Sequence, residues 1–430
     1  MQVRNIFPNR KRKSGFFIEK GGLGKARIVI PDLFLIFAES DTRKAGGPMK
    51  FKSYIIFFLL FGVLADIYLT LVLWPEMPVA GKWALCLPTL FCGACLPLIG
   101  MGRHYTDAVR VFSYLTFIFA LPKFILSLFS AIGRYLLQLP HGVADGIALA
   151  FGGGASLFFL FLIFFATRHL QVNLTELSFK DLPKAFDGLR ICQLSDFHLG
   201  SFGKRSRYIQ RIIDTAVSLK PDLILFTGDL VNFESSEAKP YLNLLARLQA
   251  PLGIFSVRGN HDYLLHGHHD EQERQRDMDH VLDMERGLGW HVLLNAHALI
   301  RRGQDALALV GVENVSKNPY FEQTGGNLKQ ALQGLPEGIF KILMTHDPSH
   351  WRSEVVPAGG IALTLSGHTH GLKYKMAGLH PSHWRLPESG GLYTDWGQTL
   401  HVSVGLGSAF AFRLGGFPHV DILTLKRANI

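Results

Sequence analysis

The sequence predicts an α/β domain, two β-sheets with helices outside them, preceded by four transmembrane helices. Three observations carry that prediction. Four apolar spans, each near the ~20 residues a helix needs to cross a bilayer core, crowd into residues 54–166. From about residue 170 onward, short apolar runs alternate with stretches of helical spacing. Five of those runs stop at a carboxylate, an amide or an imidazole, which puts polar groups at the carboxyl ends of buried strands, where α/β sheets place their chemistry.

Composition fits this division. Hydrophobic residues make up 48% of the 430, and the mean hydropathy of +0.19 is high for a wholly soluble chain. The formal charge of +10 does not indicate nucleic acid. Residues 1–48 carry ten Lys/Arg against four Asp/Glu and so hold +6 of it, and the remainder suits a membrane protein with basic flanks. Cys92-Gly-Ala-Cys95 has redox or zinc spacing. Without a second pair, and inside an apolar span, it reads as small residues in a packed helix. Cys192 reads as strand core, and no disulfide framework is implied.

Residues 1–48 lack periodicity, carry the basic run Arg10-Lys-Arg-Lys13 and do not resemble a signal peptide. Gly21-Gly-Leu-Gly-Lys25 is not a phosphate loop, because the first glycine of that motif would fall on Glu19. Met49-Lys-Phe-Lys52 reads as a more natural start, so residues 1–48 are expected to be a disordered basic tail or an over-extended start. A four-helix transmembrane domain is expected over 49–168, with spans at Tyr54–Trp74, Trp83–Met101, Val111–Ile132 and Ile147–Ala166. Lys50, Lys52, Arg103, Arg110, Arg168 and Lys180 flank one side, and only Lys82 and Arg134 the other. By the positive-inside rule, the N-terminus and everything after Ala166 are cytoplasmic. Asp66 and Lys123 fall at matching depth in two spans that run the same way, so mutual pairing is expected; a proton or ion path is the alternative. Gly152-Gly-Gly154 is expected to permit close helix packing.

The catalytic domain is expected over 169–430. Leu170–Phe179 alternates like a strand, Leu182–Gly188 connects, and Leu189–Leu194 is a buried strand. Helical spacing follows at Arg205–Leu219, a strand at Pro221–Phe226, a helix at about Glu237–Gln249 and a strand at Gly253–Arg258. Further strands fit Ala306–Val312, Phe340–Met344, Ile361–Leu365, His401–Gly405 and Val420–Leu425.

The strand ends carry the chemistry. They read Leu194-Ser-Asp-Phe-His198, Thr227-Gly-Asp229, Gly259-Asn-His-Asp262, Thr345-His346 and Gly367-His-Thr-His370. A carboxylate, amide and imidazole set without thiolate suits Mn²⁺, Fe or Zn²⁺ in a reactive site more than a structural zinc site. Buried core histidines do not account for five of them at strand ends. The series resembles the calcineurin-like metallophosphoesterases, in order over about residues 170–425. It is most similar to membrane-tethered bacterial members of the YkuE type, through Gly311-Val-Glu-Asn314, Thr345-His-Asp-Pro-Ser-His-Trp351 and Leu363-Thr-Leu-Ser-Gly-His368.

The resemblance implies a four-layer α/β/β/α sandwich. It also implies two divalent ions, one held by Asp196, His198, Asp229 and His370 and the other by Asp229, Asn260, His346 and His368, with Asp229 bridging. Such a pair clamps the attacking and leaving oxygens of an in-line displacement and acidifies a shared water to hydroxide. His261 would stabilise the phosphoryl oxygens and protonate the leaving group, with Asp262 fixing its tautomer and raising its pKa. Two departures bear on the rim: Gly371-Leu-Lys373 has a cation where the family often has an amide, and Pro418-His419 stands where Pro-Glu is usual. His266-Gly-His-His269 reads as a solvated loop, with metal binding the alternative. Lys204-Arg-Ser-Arg207 reads equally as an anion-facing patch or an exposed helix start.

The expected function is that of a multi-pass enzyme of the bacterial inner membrane, facing the cytoplasm. It would hydrolyse a phosphodiester or pyrophosphate bond, with a membrane lipid or nucleotide-linked lipid the favoured substrate. The alternatives are an anchored phosphatase of soluble metabolites and a non-catalytic phosphate-binding membrane sensor. The tail reading is testable. A chain beginning at Met49 should insert into membranes and retain full phosphoesterase activity, and substantial loss of either would refute it.

Overall fold

The protein is described by a computed structural model over residues 51–102, 104–203, 206–265, 270–316, 325–370, 387–408 and 417–428. The basic tail, Lys204 and Arg205, the 266–269 loop and the 371–373 departure lie outside the described residues.

Among the described residues, four helices are long and apolar enough to cross a membrane: α1 (Phe51–Leu73), α2 (Val79–Gly100), α3 (Tyr105–Leu136) and α4 (His141–Arg168). Ile56, Leu59, Leu71, Phe91 and Leu157 stand exposed on them, as a lipid-facing surface requires. Asp66 and Lys123 do pair. The Lys123 ammonium donates to Asp66 Oδ1, to Thr89 Oγ1 at 2.9 Å and to the Leu85 carbonyl at 3.2 Å, which ties α1, α2 and α3 together.

Helices α3 and α4 run past the limits set by hydropathy. Arg134 and Asp145 form a two-pronged pair, Nε to Oδ1 at 2.8 Å and Nη2 to Oδ2 at 2.5 Å, and Ser130 donates to Asp145 at 3.2 Å. A hydropathy window ends at a charge, whereas a paired charge can stay within the helix. Among the three consecutive glycines, Gly152 is the one that packs. A Cβ there would lie 2.7 Å from Leu126 Cβ and 3.1 Å from the Pro122 carbonyl, while Gly153 and Gly154 meet nothing within 4 Å. Cys92 and Cys95 are buried free thiols.

After α4 the described residues build two six-stranded sheets. The first joins β1 (Gln171–Phe179), β2 (Arg190–Leu194), β3 (Leu223–Phe226), β4 (Ile254–Ser256), β5 (His291–Val292) and β12 (His419–Arg427), in the order β1-β12-β2-β3-β4-β5. The second joins β6 (Ala296–Arg302), β7 (Asp305–Gly311), β8 (Lys341–Met344), β9 (Leu363–Ser366), β10 (Gly391–Asp395) and β11 (Gln398–Val402), in the order β10-β11-β9-β8-β7-β6. Strands β2, β3 and β4 are mutually parallel, as are β7, β8 and β9.

The two-residue side-chain period sorts each strand between two cores. Leu223 and Leu225 of β3 face the space between the sheets, packed with Ile191, Leu309, Ile342, Leu363 and Leu365. Ile224 and Phe226 of the same strand join Ile209 and Ile212 of α5 (Ser206–Ser218) and Met278 and Val281 of α6 (Glu271–Gly287). Val310, Leu343 and Val402 cover the other face of the second sheet against Trp351 and Val355. Each such side chain, fully buried, contributes roughly 1.5–3 kcal/mol. Two sheets face to face with helical segments outside them make the four-layer sandwich.

All nine strands read from the sequence are present, β11 three residues earlier than expected. Strands β5, β6 and β10 went unread, and each lies at a sheet edge, where half-exposure removes the continuous apolar run of a central strand. The helix expected over Glu237–Gln249 is instead a pair of 3₁₀ turns, Ser235–Glu237 and Lys239–Tyr241, followed by the short helix Leu242–Leu245. Pro240 cannot donate a helical hydrogen bond, and the Glu237 carboxylate is engaged by loop amides.

The Asp66–Lys123 pair makes a clean test. Reversing either residue alone should destabilise the detergent-solubilised protein by at least ~2.5 kcal/mol, whereas reversing both should recover most of the thermal stability. A double variant no better than the worse single one would show that the pair is not what holds these helices.

Candidate metal centre

Every ligand candidate lies just past the carboxyl end of a strand: Asp196 and His198 after β2, Asp229 after β3, Asn260 after β4, His346 after β8, His368 and His370 after β9. Strands β2 and β3 occupy the middle of the first sheet, and β9 and β8 the middle of the second. The two sheets therefore deliver these residues to one place. Asp196, His198, Asp229, His368 and His370 all adopt left-handed backbone, with φ of 52°, 49°, 61°, 69° and 49°. That conformation is disfavoured for side chains with a Cβ and clusters at functional sites. Gly259 opens the Asn-His-Asp turn because its backbone passes directly against Asp229, whose carboxyl a Cβ would strike.

The side chains form overlapping groups with ligand atoms within 4.8 Å of one another: Asp196 with His198 and His370, Asp229 with His346 and His368, and His198 with Asp229 and His261. Asn260 completes the second group, its Oδ1 lying 3.1 Å from His346 Nε2 and 2.8 Å from His368 Nδ1. Asp229 Oδ2 stands between the groups, 3.4 Å from His198 Nε2 and 3.2 Å from His346 Nε2. The backbone orients these groups. His346 Nδ1 donates to the Thr227 carbonyl at 2.7 Å, which turns Nε2 toward Asp229. The His368 amide donates to Asp196 at 3.1 Å, and Ser195 Oγ donates to Asp196 Oδ2 at 2.5 Å.

Electrostatics follow from burial. Burial alone would raise the Asp229 carboxyl, but the imidazoles of His346, His261 and His198 hold it well below the usual carboxylate range. Burial likewise works against the His346 cation, yet Asp229 and Asp196 outweigh it and push the imidazole up to about 10. The carboxylates thus demand positive charge, from protonated imidazoles or from metal cations. His198 Nδ1 is fully buried without a hydrogen-bond partner, and Nε2 faces only the carboxylates of Asp229 and Asp196, at 3.4 and 3.9 Å; such a ring is costly to bury unless it serves as a ligand. The donor set and the orphaned imidazole fit a divalent metal centre.

One expected role changes. Asp262 does not provide the acceptor for His261 Nδ1, which donates to the Asn232 carbonyl at 2.9 Å. The Asp262 carboxylate instead accepts the amides of Asp229 (2.8 Å), Leu230 (2.9 Å) and Gly259 (2.9 Å), pinning the β3 and β4 turns to each other. Burial and the Asp229 charge push its carboxyl up to about 6 even so. His419 also differs from a rim residue: its Nε2 lies 3.2 Å from the buried Asp421.

Sequence reasoning missed three contributors. Asn232 and Glu237 carried no motif signal. Asp347 stood unremarked within the Thr345-His-Asp motif; its Oδ2 lies 3.7 Å from His368 Nε2 and accepts Ser316 Oγ at 2.5 Å. Burial works against its charge, but the His368 ring and the Ser316 hydroxyl keep its carboxyl low.

Comparison with known proteins agrees with this geometry. Residues 189–372 match the calcineurin-like phosphoesterase family. The chain is 29% identical over 199 residues to a Danio rerio "Transmembrane protein with metallophosphoesterase domain", covering 45% of this chain and 43% of that one. It is 28% identical over 312 residues to the "Uncharacterized metallophosphoesterase YkuE" of Bacillus subtilis, covering 69% of this chain and 98% of that one. Over a shorter stretch of 102 residues it is 42% identical to the "UDP-2,3-diacylglucosamine pyrophosphatase LpxG" of Chlamydia muridarum, covering 22% and 31% of the two chains. The chain spans about half the length of the vertebrate transmembrane relatives it matches. The ordered motifs, the two-sheet fold and these likenesses agree that residues 189–372 carry a calcineurin-like phosphoesterase domain.

Proposed function

We propose that this chain is a membrane-anchored phosphoesterase with a two-metal centre, cleaving a phosphodiester or pyrophosphate bond of a lipid or nucleotide-linked lipid. Residues 49–168 form the anchor and 169–430 the catalytic domain, facing the cytoplasm of a bacterial cell. The observation that carries the two-metal reading is the position of Asp229 Oδ2 between two ligand groups. Asp196, His198, Asp229 and His370 would hold one ion, and Asp229, Asn260, His346 and His368 the other, as Mn²⁺, Fe or Zn²⁺. Such a pair, when bound, stabilises the charge on a transferring phosphoryl group and lowers the pKa of water.

The chain's own residues do the rest. A carbonyl oxygen only accepts, so the Asn232 carbonyl keeps the proton of His261 on Nδ1 and leaves Nε2 as the atom that exchanges protons with substrate. His261 lies within 4.8 Å of His198 and Asp229, close enough to meet a phosphate held there and to protonate its leaving oxygen. Asp262 keeps the β3 and β4 turns in register, and so holds Asp229 and His261 at a fixed separation.

The lipid assignment is supported by two observations. Loops after β2 and β3, which carry ligands, touch the first turns of α3, and the Chlamydia relative bears the name of a pyrophosphatase of a diacylated sugar nucleotide, UDP-2,3-diacylglucosamine. A site close to a bilayer meets lipid headgroups at high effective concentration.

Asp229→Asn should abolish activity and lower bound metal in both positions, measured by elemental analysis of the purified protein. His261→Gln should retain its metal content and lose roughly 10²–10⁴ in turnover; near-normal turnover would remove His261 from the mechanism. The full-length protein should hydrolyse a phospholipid-like diester in vesicles faster than its short-chain soluble analogue. Equal rates would favour an anchored phosphatase of soluble metabolites.

A further inference from the structure

The loop that orients His261 is held from the membrane side. Thr106 stands in the first turn of α3, and its hydroxyl donates to Glu237 Oε1 at 2.5 Å. The buried Glu237 carboxylate also accepts the amides of Asn232, at 2.5 Å on Oε2, and Phe233, at 3.1 Å on Oε1. The carbonyl of that same Asn232 is the acceptor for His261 Nδ1. One carboxylate therefore joins a membrane helix to the peptide that sets the imidazole.

An aromatic path runs alongside. The Tyr105 ring meets Phe233 edge to face at 5.1 Å and 87°, and Phe233 lies 6.2 Å from the His261 ring. Arg110, one turn further along α3, donates to the Gly200 carbonyl at 3.0 Å, two residues past His198. Gly200 has no room for a side chain, because a Cβ would strike the Glu237 carboxyl. A neutral acceptor would suffice to close a loop. Burial pushes the Glu237 carboxyl up to about 7, with the Thr106 hydroxyl and the Asn232 and Phe233 amides pulling the other way; in its ionised form it makes stronger, charge-assisted bonds to all three.

We propose that Glu237 and Thr106 are positioning residues for His261, through which the first turn of α3 aligns the imidazole with the leaving oxygen. This rests on His261 acting as the leaving-group acid. Proton transfer depends steeply on alignment, and small misplacements have large effects on rate. A fault in this link should thus lower kcat and leave KM and metal content alone. It should also matter most for esters whose leaving group needs a proton.

The experiment uses the full-length protein in detergent with Mn²⁺ and two soluble diesters, diphenyl phosphate and bis-p-nitrophenyl phosphate. The variants are Thr106→Val, Thr106→Ser, Glu237→Gln and His261→Gln, each checked for metal content and thermal stability. Thr106→Val and Glu237→Gln should each lose roughly tenfold in kcat on the phenyl ester, the effect of one charge-assisted hydrogen bond. Both should lose clearly less on the nitrophenyl ester and keep KM and metal. Thr106→Ser, which retains the hydroxyl, should restore the wild-type rates. An equal loss on both esters, or a loss that follows metal content or melting temperature, would overturn the positioning role in favour of a structural one. His261→Gln is the reference for the underlying reading. If that variant treats the two esters alike, His261 is not the leaving-group acid and the proposal falls with it. If it discriminates while the Thr106 and Glu237 variants do not, the link alone falls.

Discussion

The carboxylate of Asp229, buried between two sheets and ringed by imidazoles, is the constraint on which the rest of the site depends. A buried carboxylate is strongly destabilising unless positive charge and donors surround it. His198, His346 and His261 provide that surrounding from three different strand ends, and the His261 amide donates to Asp229 Oδ1 at 2.8 Å. To bring those residues within reach, the chain must turn sharply after each strand, hence the left-handed backbone at Asp196, His198, Asp229, His368 and His370. Gly259 and Asp262 belong to the same solution, one by leaving room and the other by binding the turn amides.

Such strained turns persist only on a rigid base. The base is the dry layer between the sheets, where Leu223, Leu225, Ile191, Leu309, Ile342 and Leu365 lock the central strands at fixed spacing. The central strands carry the ligands, and the edge strands β1, β5, β6 and β10 carry none of them. Stability and chemistry are thus divided along each strand: apolar body, polar tip.

The membrane helices extend the same logic. A buried ion pair, Asp66 with Lys123, and a half-buried one, Arg134 with Asp145, tie the bundle together where apolar packing alone gives little drive in lipid. Both pairs include a residue of α3, the helix whose first turns present Thr106 and Arg110 to the loops after β2 and β3. An anchor held by polar knots can transmit a fixed position to the site, which a greasy tether could not.

Sequence by itself determined a great deal. Hydropathy located the four spans, because the bilayer sets a length that little else imitates. Apolar runs ending in Asp-x-His, Gly-Asp, Gly-Asn-His-Asp and Gly-His-Thr-His marked the central strands and their chemistry, since a buried strand is continuous in sequence and its tip is the next few residues. The matching depth of Asp66 and Lys123 foretold their pairing for the same reason: helical rise converts sequence distance directly into depth. Tertiary structure alone decided the edge strands β5, β6 and β10, the break-up of the helix after Glu237, and the exchange of roles between Asp262 and Asn232. Asp262 adjoins His261 in sequence, yet its carboxylate turns to the amides of a neighbouring strand's loop, while a carbonyl 29 residues away orients the imidazole. Thr106 and Glu237 stand 131 residues apart. Which donor reaches which acceptor across such separations depends on how layers stack in space, and adjacency along the chain holds no record of it.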